Sequence, residues 1–151
     1  MTVTLPNKSG LVTNSVAVKE SIAAFTNGDL DGAIAPYAER AEINDPTGKY
    51  VGTSQIRASL EVWHTAFPDA KGEVTNQIAE GEQVLTEVTF HGTHTGPLAG
   101  PNGMTVPATG KKIEMRIAFV DWFKDGKIQR ERSYYDLSGL MQQLGLAPNG
   151  R

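Results

Sequence analysis

The sequence predicts an α+β domain, in which a helix-rich front half is followed by a curved antiparallel sheet that wraps a helix and encloses a pocket. Three observations predict it. Apolar residues recur at helical spacing through residues 15–67, interrupted by one short extended stretch. From residue 74 to residue 135 the pattern changes to the two-residue alternation of half-buried strands. Turn residues punctuate that second half, at Gly92-Thr93-His94-Thr95-Gly96, Pro107-Ala108-Thr109-Gly110-Lys111 and Asp125-Gly126-Lys127-Ile128.

A chain of 151 residues suits one domain with one core. The expected organisation is an arm over residues 1–14, a single domain over 15–146 and a tail over 147–151. Seventeen acidic residues stand against 14 basic ones. That near balance, with no basic stripe, argues against nucleic acid as a partner. The absence of cysteine excludes disulfides, thiolate catalysis and cysteine-ligated metals, and fits a reducing cytoplasm. Residues 1–10 hold no apolar run of signal-peptide length, and no stretch suits a membrane span, so a cytoplasmic location is expected.

Each element has a local reason. Residues 15–27 place Val16, Val18, Ile22, Ala23 and Phe25 at roughly helical spacing; Ser15 suits the cap and Asn27-Gly28 the stop. Asp29 or Asp31 caps a second helix with Leu30, Ile34 and Tyr37 along one side. Residues 39–44 read as a short strand ended by Asp45-Pro46-Thr47-Gly48. Thr53 or Ser54 opens a third helix through Ile56, Leu60, Trp63 and Phe67, and Pro68-Asp69 ends it. Three longer strands follow, over residues 74–91 (with a break possible at Gly81-Glu82), 112–123 and 127–135. The loop over residues 92–110 has the length of a lid or an interface element. Asp136 reads as the N-cap of a last helix through Leu137, Leu140, Met141 and Leu144, with Gly145 as its stop.

Strand alternation separates the faces. In the strand over 112–123, Ile113, Met115, Ile117, Phe119 and Asp121 form the more apolar set and are assigned to the interior. Val84, Val88 and Phe90 form the apolar set of the preceding strand. In the last strand Arg130 and Arg132 join Glu87, Glu114 and Arg116 outside, which turns Glu131, Ser133 and Tyr135 inward. That assignment needs a three-residue loop at Asp125-Gly126; a two-residue turn, which Asp-Gly favours, puts Asp121 beside Arg130 instead.

Five motifs occur in order: Phe67-Pro68-Asp69, Gly92-Thr93-His94-Thr95-Gly96, Pro107-Ala108-Thr109-Gly110-Lys111, Asp125-Gly126-Lys127-Ile128 and Gln143-Leu144-Gly145. In these the chain resembles the SnoaL-like polyketide cyclase family of the nuclear transport factor 2-like superfamily, over residues 15–146. The resemblance implies a cone-shaped, strongly curved sheet crossed by helices, and dimers or higher oligomers. It implies intramolecular aldol ring closure without metal or organic cofactor, with an acidic residue moving the proton. Two positions depart from the cyclase pattern: Ser133 stands in place of an aspartate and Phe119 in place of a histidine. Asn44-Asp45-Pro46 and Val84-Leu85-Thr86-Glu87 also resemble the limonene-epoxide-hydrolase type, but Val88 and Phe90 occupy the places of its arginine and aspartate.

The candidate residues each carry a plain structural alternative. Glu131 in an apolar pocket gains a raised pKa suited to general acid/base work; alternatively it is a surface residue between two arginines. Asp121 pairs with it in some registers, splitting the two pKa values; alternatively it is a hairpin-end residue paired with Arg130 or Lys127. Asn44, by the resemblance, binds substrate or water and donates to a developing enolate oxygen; alternatively it is a turn residue. Ser133 would hold a polar group of the substrate. His94 has the best placement of the three histidines, in a loop that overhangs the pocket, and the three lack metal-ligand spacing. Trp63, Phe67, Phe90, Met115, Ile117, Phe119 and Tyr135 line the pocket or fill a core. The function that follows is cofactor-independent proton transfer on a polyketide-like or ring-containing apolar molecule. The alternatives are a non-catalytic small-molecule binder of the same fold and an interaction module that uses the outer sheet face.

Overall fold

Local pattern and turn chemistry set the order of elements along the chain. In the computed structural model, which describes residues 8–100 and 103–146, these are α1 (Lys8–Thr26), α2 (Leu30–Ile34), β1 (Tyr37–Asp45), β2 (Gly48–Val51), α3 (Thr53–Ala66), β3 (Lys71–Glu80), β4 (Gln83–Thr93), β5 (Leu98–Ala99), β6 (Thr105–Val106), β7 (Lys112–Lys124), β8 (Lys127–Tyr134) and α4 (Leu137–Gln143). Six strands form one sheet in the order β2-β1-β8-β7-β4-β3, and β5 and β6 form a separate ribbon. The class is α+β, as the sequence predicts. The sheet is mixed rather than wholly antiparallel, because β1 runs parallel to β8. Those two strands are joined only through α3 and four intervening sheet strands, so no turn motif records their direction.

The expected first long strand is a hairpin, β3 and β4, bent at Gly81, whose φ is +59°. Between β4 and β7 the register pairs Val84 with Asp121, Val88 with Ile117 and Phe90 with Met115, which gathers the apolar sets on one face. The β7–β8 turn differs from the expectation. It is a two-residue turn, with Lys124 opposite Lys127 and both Asp125 (φ +52°) and Gly126 (φ +77°) left-handed. A bulge then follows: Phe123 pairs with Ile128 but Trp122 with Arg130, so Gln129 is the extra residue. The bulge restores the inward setting of odd positions, and Asp121 lies opposite Glu131. Arg130 and Arg132 sit outside, their guanidinium carbons 4.2 and 5.3 Å from the Trp122 ring centre.

The helices differ from the expectation at two boundaries. α1 begins at Lys8 instead of Ser15, so residues 8–14 of the anticipated arm are helical. α2 ends at Ile34, and Tyr37 opens β1 rather than closing the helix. Asp29 caps α2 through the Gly32 N–H (2.9 Å), and Asp136 caps α4 through the Gly139 N–H (2.8 Å). Residues 1–7 of the arm and the tail over 147–151 lie outside the described residues.

The motifs hold the sheet to the helices. Phe67 is fully buried with Phe90, Met115, Leu140 and Leu144, and burial of such a ring contributes about 1.5–3 kcal/mol. Asp69 accepts both the N–H and the hydroxyl of Thr93, each at 2.7 Å. Gln143 grips the Glu114 backbone with its side-chain amide, accepting at 2.8 Å and donating at 2.9 Å. Gly96 is required, because a Cβ there would collide with the Thr65 carbonyl.

Candidate functional site

Between the helices and the inner sheet face lies a cavity of about 140 Å³. Its walls come from α1 (Val18, Ile22, Phe25), α3 (Leu60, Trp63) and the inward positions of β7 and β8. Of the residues expected there, Trp63, Phe90, Met115, Phe119, Asp121, Glu131, Ser133 and Tyr135 line it. Period-two alternation brings them together: Phe119 lies opposite Ser133, one inward step from the Asp121–Glu131 pair.

The carboxyl pair sits in a mostly apolar chamber whose wall also carries Asp45, Ser133 and the Tyr37 and Tyr135 hydroxyls. Asp121 is 0% exposed and Glu131 5%. Tyr37 donates its hydroxyl to Glu131 Oε2 at 2.7 Å. Neither Asp121 oxygen has a donor among the described residues. Burial raises the Asp121 pKa well above the usual carboxylate range, and the neighbouring Glu131 raises it further. Burial also raises Glu131, while the neighbouring Asp121 and the Tyr37 hydroxyl offset part of that rise. Two carboxylates at this depth repel one another, so the pair holds its last proton more tightly than an isolated carboxyl does. Burial and the two carboxylates push the Tyr37 hydroxyl up, which keeps it a donor.

Two expected residues are elsewhere. Asn44 is exposed, because Ala41 and Ile43 point inward and Asn44 occupies the alternate face of β1. His94 is 0% exposed but lies outside the cavity wall. Its ring packs 5.3 Å from Phe67, and its Nδ1 accepts the Thr109 N–H at 3.2 Å. Burial holds its pKa down, and it ties the long loop to the core. His91 is an outer residue 3.6 Å from Glu114.

Sequence reasoning missed Tyr37 and Asp45 as wall residues. Alternation was the available signal: Tyr37, Ala41, Ile43 and Asp45 share the inward face of β1, with an irregularity between Tyr37 and Glu42. Asp45 accepts from Thr47 N–H (2.7 Å), Thr47 hydroxyl (2.6 Å) and Gly48 N–H (3.1 Å). The Tyr135 hydroxyl is buried without a partner among the described residues, and burial raises its pKa. No group of three or more His, Asp and Glu with metal-site geometry occurs among the described residues. None of the described helices is long and apolar enough to cross a membrane.

Comparison with known proteins agrees on the architecture. The model of the SnoaL-like polyketide cyclase family matches residues 15–144. No curated protein matches the chain. Among solved structures, AclR of Streptomyces galilaeus, provisionally a hydroxylase, is similar at a TM-score of 0.77 and 24% identity, over 91% of this chain and 99% of that one. A provisionally assigned SnoaL-like polyketide cyclase from Jannaschia sp. CCS1 is similar at a TM-score of 0.79 and 20% identity, over 99% and 100%. TerC, crystallised with polyporic acid, is similar at a TM-score of 0.71 and 17% identity, over 88% and 98%. At these identities the likeness is one of fold.

Proposed function

Because the chain belongs to the SnoaL-like polyketide cyclase family, we propose that it catalyses cofactor-independent proton transfer on a polyketide-like or ring-containing small molecule. The outcome is aldol ring closure or isomerisation. The observation that carries this reading is the buried Asp121–Glu131 pair, with Tyr37 bonded to Glu131, in a chamber whose apolar wall includes Phe90, Met115 and Phe119.

Glu131 is the base. It takes a proton from the carbon beside a substrate carbonyl, and the electron pair moves onto the carbonyl oxygen. The negative charge thus passes from the carboxyl pair to the enolate, so the number of buried charges does not change. Ser133, 7% exposed in the same wall and one inward step along β8, donates its hydroxyl to that oxygen. In the aldol route the enolate carbon bonds to a second carbonyl carbon of the same molecule, and the new alkoxide recovers the proton from Glu131. In the isomerisation route Glu131 returns the proton to a different carbon. Asp121 keeps its own proton throughout and holds the Glu131 carboxyl in place. Asn44, exposed on the outer face, takes no part.

The test uses a simple enolisable ketone, 2-tetralone, in deuterated buffer near neutrality. Loss of its α-proton signal, followed by NMR, accelerates in the presence of the protein. Glu131→Gln lowers that protein-dependent rate by about 10²-fold or more. Equal rates with the two proteins would overturn the reading and leave a binder without turnover.

A further inference from the structure

The wall of the inner chamber carries the carboxyls of Asp45, Asp121 and Glu131, and among the described residues no lysine, arginine or histidine lines it. None of these acids forms an ion pair among the described residues. A buried charge without a partner is costly. The pair meets that cost by holding a proton, and another cation can take the proton's place. We propose that the chamber binds a compact organic cation, with its ammonium group seated between Asp121 and Glu131 and its apolar body against the aromatic wall. Such binding goes beyond the proton transfer above, because it needs only the charge of the pair and no turnover. A ketone meets the pair with its proton in place; an ammonium enters as that proton leaves to solvent, so the net charge of the chamber is the same.

The carboxyl oxygens lack donors. Asp121 is 0% exposed, lines the chamber and has no donor on either oxygen among the described residues. A proton shared with Glu131 serves only one of those two oxygens. On Glu131 the Tyr37 hydroxyl serves Oε2 at 2.7 Å. On Asp45 the donors from Thr47 and Gly48 all converge on Oδ1, which leaves Oδ2 without one among the described residues. Beyond burial, the charge of Asp45 raises both Glu131 and Tyr135, so its field reaches across the chamber. An ammonium group brings N–H donors and a positive charge together, and its bonds to carboxylates are among the strong ones.

The rest of the wall selects an organic cation over a metal ion. Tyr37, Trp63, Phe90, Phe119 and Tyr135 contribute rings to it. Ring faces attract a cation within about 6 Å, and a cavity of about 140 Å³ keeps its occupant close to them. A hard metal ion needs about six oxygen ligands, which this wall does not supply. The volume matches a cavity that takes up one benzene, so a single ring beside the ammonium fills it.

The test is calorimetric titration of the full chain at neutral pH with cyclohexylammonium and with cyclohexanol, which match in size and differ in charge. Native protein binds cyclohexylammonium at least ~10-fold more tightly, the increment of a charge-assisted hydrogen bond. Asp121→Asn removes that partner; it lowers cyclohexylammonium affinity ~10-fold and leaves cyclohexanol within about twofold. Asp45→Asn keeps an oxygen for the Thr47 and Gly48 donors and loses the charge; it weakens cyclohexylammonium by ~3-fold or more and spares cyclohexanol. Equal affinity of the native protein for the two probes, or tighter binding of cyclohexanol, would overturn the proposal. So would an equal loss of both probes in the variants. Undiminished cyclohexylammonium binding in both variants would also overturn it, since an ammonium held by exposed carboxylates does not sense the fully buried Asp121.

Discussion

Replacing Asp121 by Asn turns the buried pair into a stability measurement. Asp121 is 0% exposed and neither oxygen finds a donor among the described residues. Burial first, and Glu131 second, raise its pKa in the folded state. The unfolded aspartate loses its proton near pH ~3.9. Above that pH the folded protein binds one proton more than the unfolded chain, so stability falls as pH rises. The contribution is whole below the unfolded pKa and is lost progressively until the folded pKa is reached. Within that window the slope is about 1.4 kcal/mol per pH unit. Asparagine does not titrate, so the variant lacks this slope. Glu42 and Asp69 work in the opposite sense, since Lys49 lowers the first and Thr93 the second. Both are present in the two proteins and cancel in the difference. The assay is urea unfolding of native and variant proteins at pH 5, 6 and 7, read by tryptophan fluorescence. The Asp121→Asn protein gains about 1.4 kcal/mol on the native one for each unit of pH within the window. Parallel profiles for the two proteins, at equal m-values, would refute the reasoning.

Two further substitutions probe the neighbours of the pair. Tyr37→Phe removes the donor 2.7 Å from Glu131; it costs about 1–3 kcal/mol in denaturant melts and moves the pH profile of 2-tetralone exchange upward, because the carboxylate loses a stabilising hydrogen bond. Tyr135→Phe removes a buried hydroxyl that has no partner among the described residues; the melt shows no loss of stability and a gain of up to ~1 kcal/mol.

Much of the site was legible because strand alternation is a short-range rule. Ile113 through Asp121 and Glu131 through Tyr135 reveal their faces by counting in twos, and the structure places these residues on the inner side. The route from one strand to the next was not legible. Asp125-Gly126 favours a two-residue turn, and it is one; the bulge at Gln129 that sets Asp121 opposite Glu131 leaves no mark in composition. Tyr37 was hidden because Leu30, Ile34 and Tyr37 fall at helical spacing, while the chain leaves the helix at Ile34. Asn44 was drawn to the site by the family resemblance alone, although Ile43 and Asp45 take the inward positions of β1. His94 depended on packing between segments far apart in the chain, against Phe67 and Thr109, which local pattern does not encode.

The shared proton is read directly by an NMR titration of the Asp121 and Glu131 side-chain carboxyls, with Asp121→Asn and Glu131→Gln as assignment controls. The predicted result is two separated ionisations, with one carboxyl keeping its proton far above the ordinary carboxylate range, whose values are about 3.9 and 4.3. Two carboxyls that both ionise near those values would contradict a shared proton and remove the basis for Glu131 as the base.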